Sequence, residues 1–116
     1  MSACLFCKIV AGEIPATKLY EDEDMLAFKD IDPQRPVHVL LVPKKHITSL
    51  ASLAAEDALL VGKMLAKTND IARAAGSLGG FRLIINTGEI GQQEVQHLHM
   101  HILGGPQPVG PMVKKH

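Results

Sequence analysis

The stretch HLHMHIL, residues 97–103, puts a histidine at every second position, with Leu98, Met100 and Ile102 between. Successive side chains of a β-strand point to opposite faces, so this spacing predicts a strand carrying His97, His99 and His101 on one face and three apolar residues on the other. The apolar face packs a core. The imidazole face calls for a chemical reason.

Working outward, VQHLHMHIL reads as the final strand, preceded by the glycine-bearing loop NTGEIGQQE and the strand FRLIIN. VHVLLVP reads as a buried strand because its run is rich in β-branched residues, and its proline stops it. ATKLYEDEDMLAFKDI reads as a hairpin, with strands near residues 18–20 and 25–29 about an acidic turn, and DPQRP as a loop. Val61, Met64, Leu65, Thr68, Ile71, Ala72 and Ala75 recur with the period of an amphipathic helix, which is expected to start near Ser52 and stop at Gly76. CLFCKIVAGE predicts a short helix ending near Gly12. The tail GGPQPVGPMVKKH holds too much Gly and Pro for regular structure. Short strands around one long helix give an α+β class with a mainly antiparallel sheet, and residues 1–116 suit a single domain.

Composition narrows the function. Twelve basic and 12 acidic residues give a formal net charge of +0, so no overall field draws nucleic acid or an anionic membrane surface. With one Tyr and no Trp, stacking on single-stranded nucleic acid is not expected. No apolar run reaches the roughly 18 residues of a membrane span, and MSACLFCKIV lacks the pattern of a signal peptide. Two cysteines are too few for a disulfide scaffold, so a cytoplasmic setting is expected.

Three readings fit the histidines: a wetted strand face, a metal site built on His-x-His, and phosphoryl or nucleotidyl transfer. In the last, one neutral imidazole attacks phosphorus and a neighbour protonates the leaving group. The loop before the triad favours it, because Gly88 and Gly91 allow several backbone N–H groups to turn toward an anion. Asp30, at the end of MLAFKD, is placed to accept sugar hydroxyls, as acidic residues do with ribose.

His97-Leu98-His99-Met100-His101-Ile102-Leu103 resembles the signature of the histidine-triad (HIT) nucleotide-binding proteins. FCKIVAGEIPA, AFKDIDPQRPVHVLLVPKKHI, FRLIINTG and GQQEVQHLHMHILGG are similar to that family's blocks, in order. LGG after the triad points to the purine nucleoside phosphoramidase branch. The resemblance implies a HIT-like fold, with a five-stranded antiparallel sheet, one long helix and a short N-terminal helix. It also implies a homodimer that hydrolyses purine nucleoside 5′-phosphoramidates through a nucleotidyl-histidine, with no cofactor needed for catalysis. Carried over, His99 is the nucleophile, His101 stands beside the leaving group, and His97 and His38 support them. Asp30 holds the ribose. Phe6, Ile9, Ile14, Phe28 and Ile31 wall the base, and Asn86, Gln93, Glu94 and Val95 meet the phosphate. The alternatives are dinucleoside polyphosphate hydrolysis and a nucleotide-binding scaffold without turnover.

The sequence departs from the family at several points. Gln96 stands where an aromatic residue is frequent, Pro106 where the phosphoramidase branch often has arginine, and Glu94 where several relatives have serine. Lys29 sits next to the ribose acid. These differences bear on substrate range more than on reaction type. Cys4-x-x-Cys7 has metal-ligand spacing. Some bacterial relatives resembling this sequence bind zinc with such a pair plus two histidines, which here are His46 and His97; a structural zinc on Cys4, Cys7, His46 and His97 therefore stands beside the alternative of two inert thiols on a short helix.

Overall fold

A computed structural model describes residues 4–111. Five strands form one antiparallel sheet in the order β1-β2-β3-β5-β4: β1 (Lys18–Glu21), β2 (Met25–Lys29), β3 (Val37–Pro43), β4 (Arg82–Ile84) and β5 (Met100–Gly104). A short helix, α1 (Leu5–Val10), precedes the sheet, and the long helix α2 (Ala58–Ala74) links β3 to β4. Among the described residues, no helix is long and apolar enough to cross a membrane.

The sheet is covered on both faces, which explains why β3 is buried at every position. Met25, Ala27, Val37, Val39, Leu41, Met100 and Ile102 meet Met64, Ile71 and Ala72 of α2 on one side. Leu26, Phe28, Leu40 and Val42 meet Phe6 and Ile9 of α1 on the other. His38 and His101 alternate out of the α2-facing set, which places both on the α1 side of adjacent, directly paired strands.

The helix stripe is as expected for Met64, Thr68, Ile71 and Ala72, which are buried, but Leu65 lies on the outer face, 45% exposed. The helix also starts later than Ser52. Two 3₁₀ turns, Leu50–Ser52 and Ala55–Asp57, occupy the expected first turns. Its end follows glycine chemistry. Gly76 takes φ 111, and the N–H groups of Gly76 and Ser77 donate to the carbonyls of Arg73 and Ala72, a Schellman closure.

Two strands are shorter than the sequence suggests. FRLIIN contributes only Arg82–Ile84, and VQHLHMHIL pairs only from Met100 onward, ending at Gly104. The last register pair between β3 and β5 is Leu41↔Met100. Beyond it Pro43 has no N–H to extend the ladder, and its carbonyl is taken by the His97 ring. Leu98 N–H turns away to the Ile47 carbonyl, 2.6 Å off. Leu98, Met100 and Ile102 are nonetheless fully buried, as the alternation predicts.

At the far end of β5 the backbone passes against Ser77. The buried Ser77 hydroxyl donates to Gly80 O (2.5 Å) and accepts from Gly105 N–H (3.1 Å). A Cβ on Gly104 would overlap that hydroxyl oxygen and come within 2.7 Å of the Ser77 Cβ. Because Ser77 is held at both ends, it has nowhere to go. Gly104→Ala is therefore expected to destabilise the fold by about 2 kcal/mol, as overpacking a filled site does. A thermal melt would show a fall of several degrees; an unchanged midpoint would refute the contact.

Candidate active site

The ladder's early end leaves His97 and His99 outside any strand, and side-chain contacts place them instead. His99 Nδ1 lies 2.8 Å from the His97 carbonyl. A carbonyl only accepts, so Nδ1 carries the proton and Nε2 keeps its lone pair. Gln34 N–H donates to His38 Nδ1 (3.0 Å), which puts the His38 proton on Nε2. That proton faces His101 Nδ1 at 2.9 Å, so the neutral His101 ring carries its own proton on Nε2. The His99 and His101 ring centroids are 5.0 Å apart. Three backbone or ring contacts thus set an unprotonated nitrogen on His99 beside an N–H on His101, which is the arrangement a nucleophile and proton donor need.

These groups open on a cavity of about 440 Å³. Among the expected site residues Phe6, Asp30, Ile31, His38, Asn86, Glu94, Val95, His99 and His101 line it. Phe6 stands edge-on to His99, with centroids 5.0 Å apart. Ile9 and Phe28 sit behind this wall in the buried α1 cluster, with Ile14 packed against it. Gln93 is turned inward: its oxygen accepts from Gly88 N–H, and its amide donates to the Thr48 and Val95 carbonyls, so its polar atoms hold the loop together. His97 faces away from the cavity. A larger hollow of about 770 Å³ lies between the turn after α2 and the segment after β5, but its wall is mostly glycine and proline, with Arg82 the one ionisable side chain among the described residues that line it.

Some wall residues give little sign of themselves in the sequence. Gln34 serves through its backbone N–H as well as lining the cavity. Gln92, also on the wall, adopts φ 58, a left-handed conformation unusual for a residue with a side chain. Prolines 33 and 36 around Gln34 are the nearest sequence signal for a fixed loop there.

Residues 3–116 match the family model described as "Scavenger mRNA decapping enzyme C-term binding". The structure of a HIT family hydrolase from Legionella pneumophila Philadelphia 1 superimposes with a TM-score of 0.84 at 48% identity, covering 90% of this chain and 94% of that one. The chain belongs to the histidine-triad (HIT) family. Further HIT relatives agree. Protein HitA of Neisseria gonorrhoeae is 55% identical over 106 residues, which is 91% of this chain and 99% of the relative. The purine nucleoside phosphoramidase of Escherichia coli is 43% identical over 110 residues, 94% of this chain and 92% of that enzyme. At this level of likeness the chain is a HIT family hydrolase.

Burial dominates the electrostatics of His38 and His101. His38 is pushed below its ordinary range by burial, against the pull of the Asp30 and Asp32 carboxylates. The Asp30 Oδ2 contact with His38 Nε2, at 3.4 Å, is thus no ion pair at neutral pH. Burial takes His101 down to about 4, with the His99 and His38 rings adding to the shift. The unfolded chain takes up these protons near 6.5 and the folded protein only at lower pH. The unfolded state therefore binds more protons between about pH 6.5 and pH 4, and stability falls as the pH drops through that window. A loss of several degrees in Tm is expected there, and a His101→Gln protein should show a flatter profile.

A second group lies behind His97. Its Nε2–H donates to Pro43 O at 2.8 Å, so Nδ1 presents a lone pair. That atom is 3.3 Å from Cys4 Sγ, 3.5 Å from Cys7 Sγ and 3.2 Å from His46 Nδ1, and Cys7 Sγ is 3.2 Å from His46 Nδ1. A tetrahedral zinc with ordinary bond lengths holds nitrogens about 3.3 Å apart and nitrogen from sulfur about 3.6 Å apart. The four residues fit that ion. Asp30, His38 and His101 also converge, but a metal on His38 Nε2 would need the nitrogen whose proton the Gln34 contact dictates. That trio suits proton handling.

Proposed function

We propose that this HIT hydrolase cleaves purine nucleoside 5′-phosphoramidates through a nucleotidyl adduct on His99. The observation that carries the reading is the His97 carbonyl on His99 Nδ1, which leaves Nε2 as a nucleophile at a nucleotide-sized cavity. The phosphoramidase activity of the E. coli relative supports the same bond.

His99 Nε2 forms a bond to the α-phosphorus as the phosphorus–nitrogen bond breaks. The departing amine takes a proton from the charged, doubly protonated form of His101, an acid that burial strengthens, and leaves that ring neutral; the positive charge gained by the substituted His99 ring, 5.0 Å away, favours that transfer. Water then attacks the adduct, returns a proton to His101 and releases the nucleoside monophosphate. Asp30 accepts the ribose hydroxyls, Phe6 and Ile31 flank the base, and N–H groups of the loop before His97 face the phosphate oxygens. Ile9, Ile14 and Phe28 shape this wall from behind, and Gln93 stiffens the loop.

The test is mass spectrometry of protein acid-quenched during turnover of an adenosine phosphoramidate. A mass increase of one nucleotidyl group on the peptide bearing His99 is expected; modification elsewhere would overturn the assignment. Faster turnover of a diadenosine polyphosphate would transfer the same chemistry to a different substrate class.

Two further expectations join this reading. We propose that Cys4, Cys7, His46 and His97 hold a zinc ion; with four protein ligands it is structural and offers the substrate no open position. Thiolate ligands belong in a reducing compartment, consistent with a cytoplasmic location. We also propose a homodimer through α2 and β4. Leu59 and Leu65 are 71% and 45% exposed on the outer face of α2, among the described residues nothing beyond the adjoining helix backbone lies within 4 Å of where a Gly62 Cβ would stand, and β4 is a half-buried edge strand.

A further inference from the structure

We propose that His46, with Cys4 and Cys7, is a positioning residue for the nucleophile, acting on His99 through the peptide of His97. The inference rests on the reading of His99 as nucleophile.

The argument starts from the missing ladder. His97, Leu98 and His99 have no strand partner, because β5 pairs only from Met100. Pro43, the last residue of β3, and the irregular run 44–48 that follows it hold them instead. Pro43 O binds the His97 ring, His46 meets that ring on its other side, Ile47 O binds Leu98 N–H, and Thr48 O binds the Gln93 amide. The His97 side chain is thus fixed at both nitrogens, while its carbonyl carries the bond that sets the His99 tautomer. Rotation of the His97 side chain and peptide is the motion that would release His99 Nδ1–H, and among the described residues Cys4, Cys7 and His46 hold the Nδ1 atom of that ring.

A second path runs through α1. Cys4 caps this six-residue helix and Cys7 lies within its first turn, with Phe6 between them. Phe6 stands edge-on to both His97 (centroids 6.0 Å apart) and His99 (5.0 Å). Holding the two sulfurs therefore also holds the ring packed on the nucleophile. Loosening the cluster leaves Asp30, Ile31 and the loop N–H groups in place, so it should affect the attacking step more than nucleotide binding.

The experiment compares wild-type protein, His46→Ala and His46→Cys, each loaded with Zn²⁺ and each stripped by a chelator. The expected result is a kcat lower by about 10- to 100-fold in His46→Ala and in stripped wild type, with KM within about threefold. Zn²⁺-loaded His46→Cys, which keeps four ligands, should recover most of the rate. The readout independent of turnover is the ¹⁵N signal pair of the His99 ring at pH 8. It should report one tautomer, protonated at Nδ1, in loaded wild type and a mixture in His46→Ala. Should His46→Ala fail to fold, the stripped wild type and His46→Asn are read the same way. A single unchanged His99 tautomer and unchanged kcat after cluster loss would overturn the proposal. If phosphoramidates prove not to be substrates, the ¹⁵N readout still decides whether the cluster orients His99.

Discussion

Replacing His99 by alanine is expected to lower phosphoramidate turnover by at least ~10⁴-fold, the scale on which removing a covalent nucleophile acts. No other group replaces it. His101 Nδ1 is engaged by His38 and its Nε2 carries a proton, while the His97 ring faces Cys4, Cys7 and His46 behind the wall. Nucleotide affinity should change by less than about tenfold, since Asp30, Ile31, Asn86 and the loop before His97 are untouched and Phe6 loses only one edge contact. Calorimetry with AMP alongside a turnover assay checks both halves. A variant that still turns over within a hundredfold of wild type would mean that water, activated by another residue, attacks phosphorus directly.

Loss of the proposed zinc is the second large effect. A ligand present at a thousand times its dissociation constant adds about 4 kcal/mol to stability, and a structural zinc site readily reaches that ratio. Chelation, or Cys4→Ser, should therefore lower Tm by roughly 10–15 °C in a chain of this size. Metal analysis of protein purified without added zinc should give close to one zinc per chain for wild type and little for Cys4→Ser. The two sulfurs and two Nδ1 atoms already stand at the spacing of a tetrahedral ion, so little rearrangement should accompany loading. Equal melting curves with and without chelator would show the cluster to be a set of hydrogen bonds and no more.

Much of this architecture could be read from the residues. Alternation placed Leu98, Met100 and Ile102 in the core, the β-branched run located β3, and the 3.6-residue stripe found α2. What escaped depends on contacts between distant segments. The end of β5 is set by Pro43 on the neighbouring strand, and nothing within VQHLHMHIL marks Met100 as the first paired residue. The three triad histidines suggest one shared face, yet the chain bends before Met100 and gives His97 to a different neighbourhood from His99 and His101. Gln93 looks like a phosphate contact by position, and its side-chain atoms engage backbone groups, accepting from Gly88 N–H and donating to the Thr48 and Val95 carbonyls, which only the folded loop reveals. Leu65 fits the helical period as well as any core residue, and only the direction of the sheet shows it to be on the outside.

Strand β3 draws a further consequence from being enclosed on both sides. Six of its seven residues are aliphatic or proline, so hydrophobicity alone does not distinguish one alignment with its neighbours from an alignment shifted by a single residue. The imidazole at position 38 breaks that degeneracy. Slipped by one place, it would be driven between sheet and long helix with neither acceptor nor donor, a penalty of a few kcal/mol for an uncompensated polar group. The same atoms that serve the chemistry thereby act as a key that lets the strand seat in only one frame.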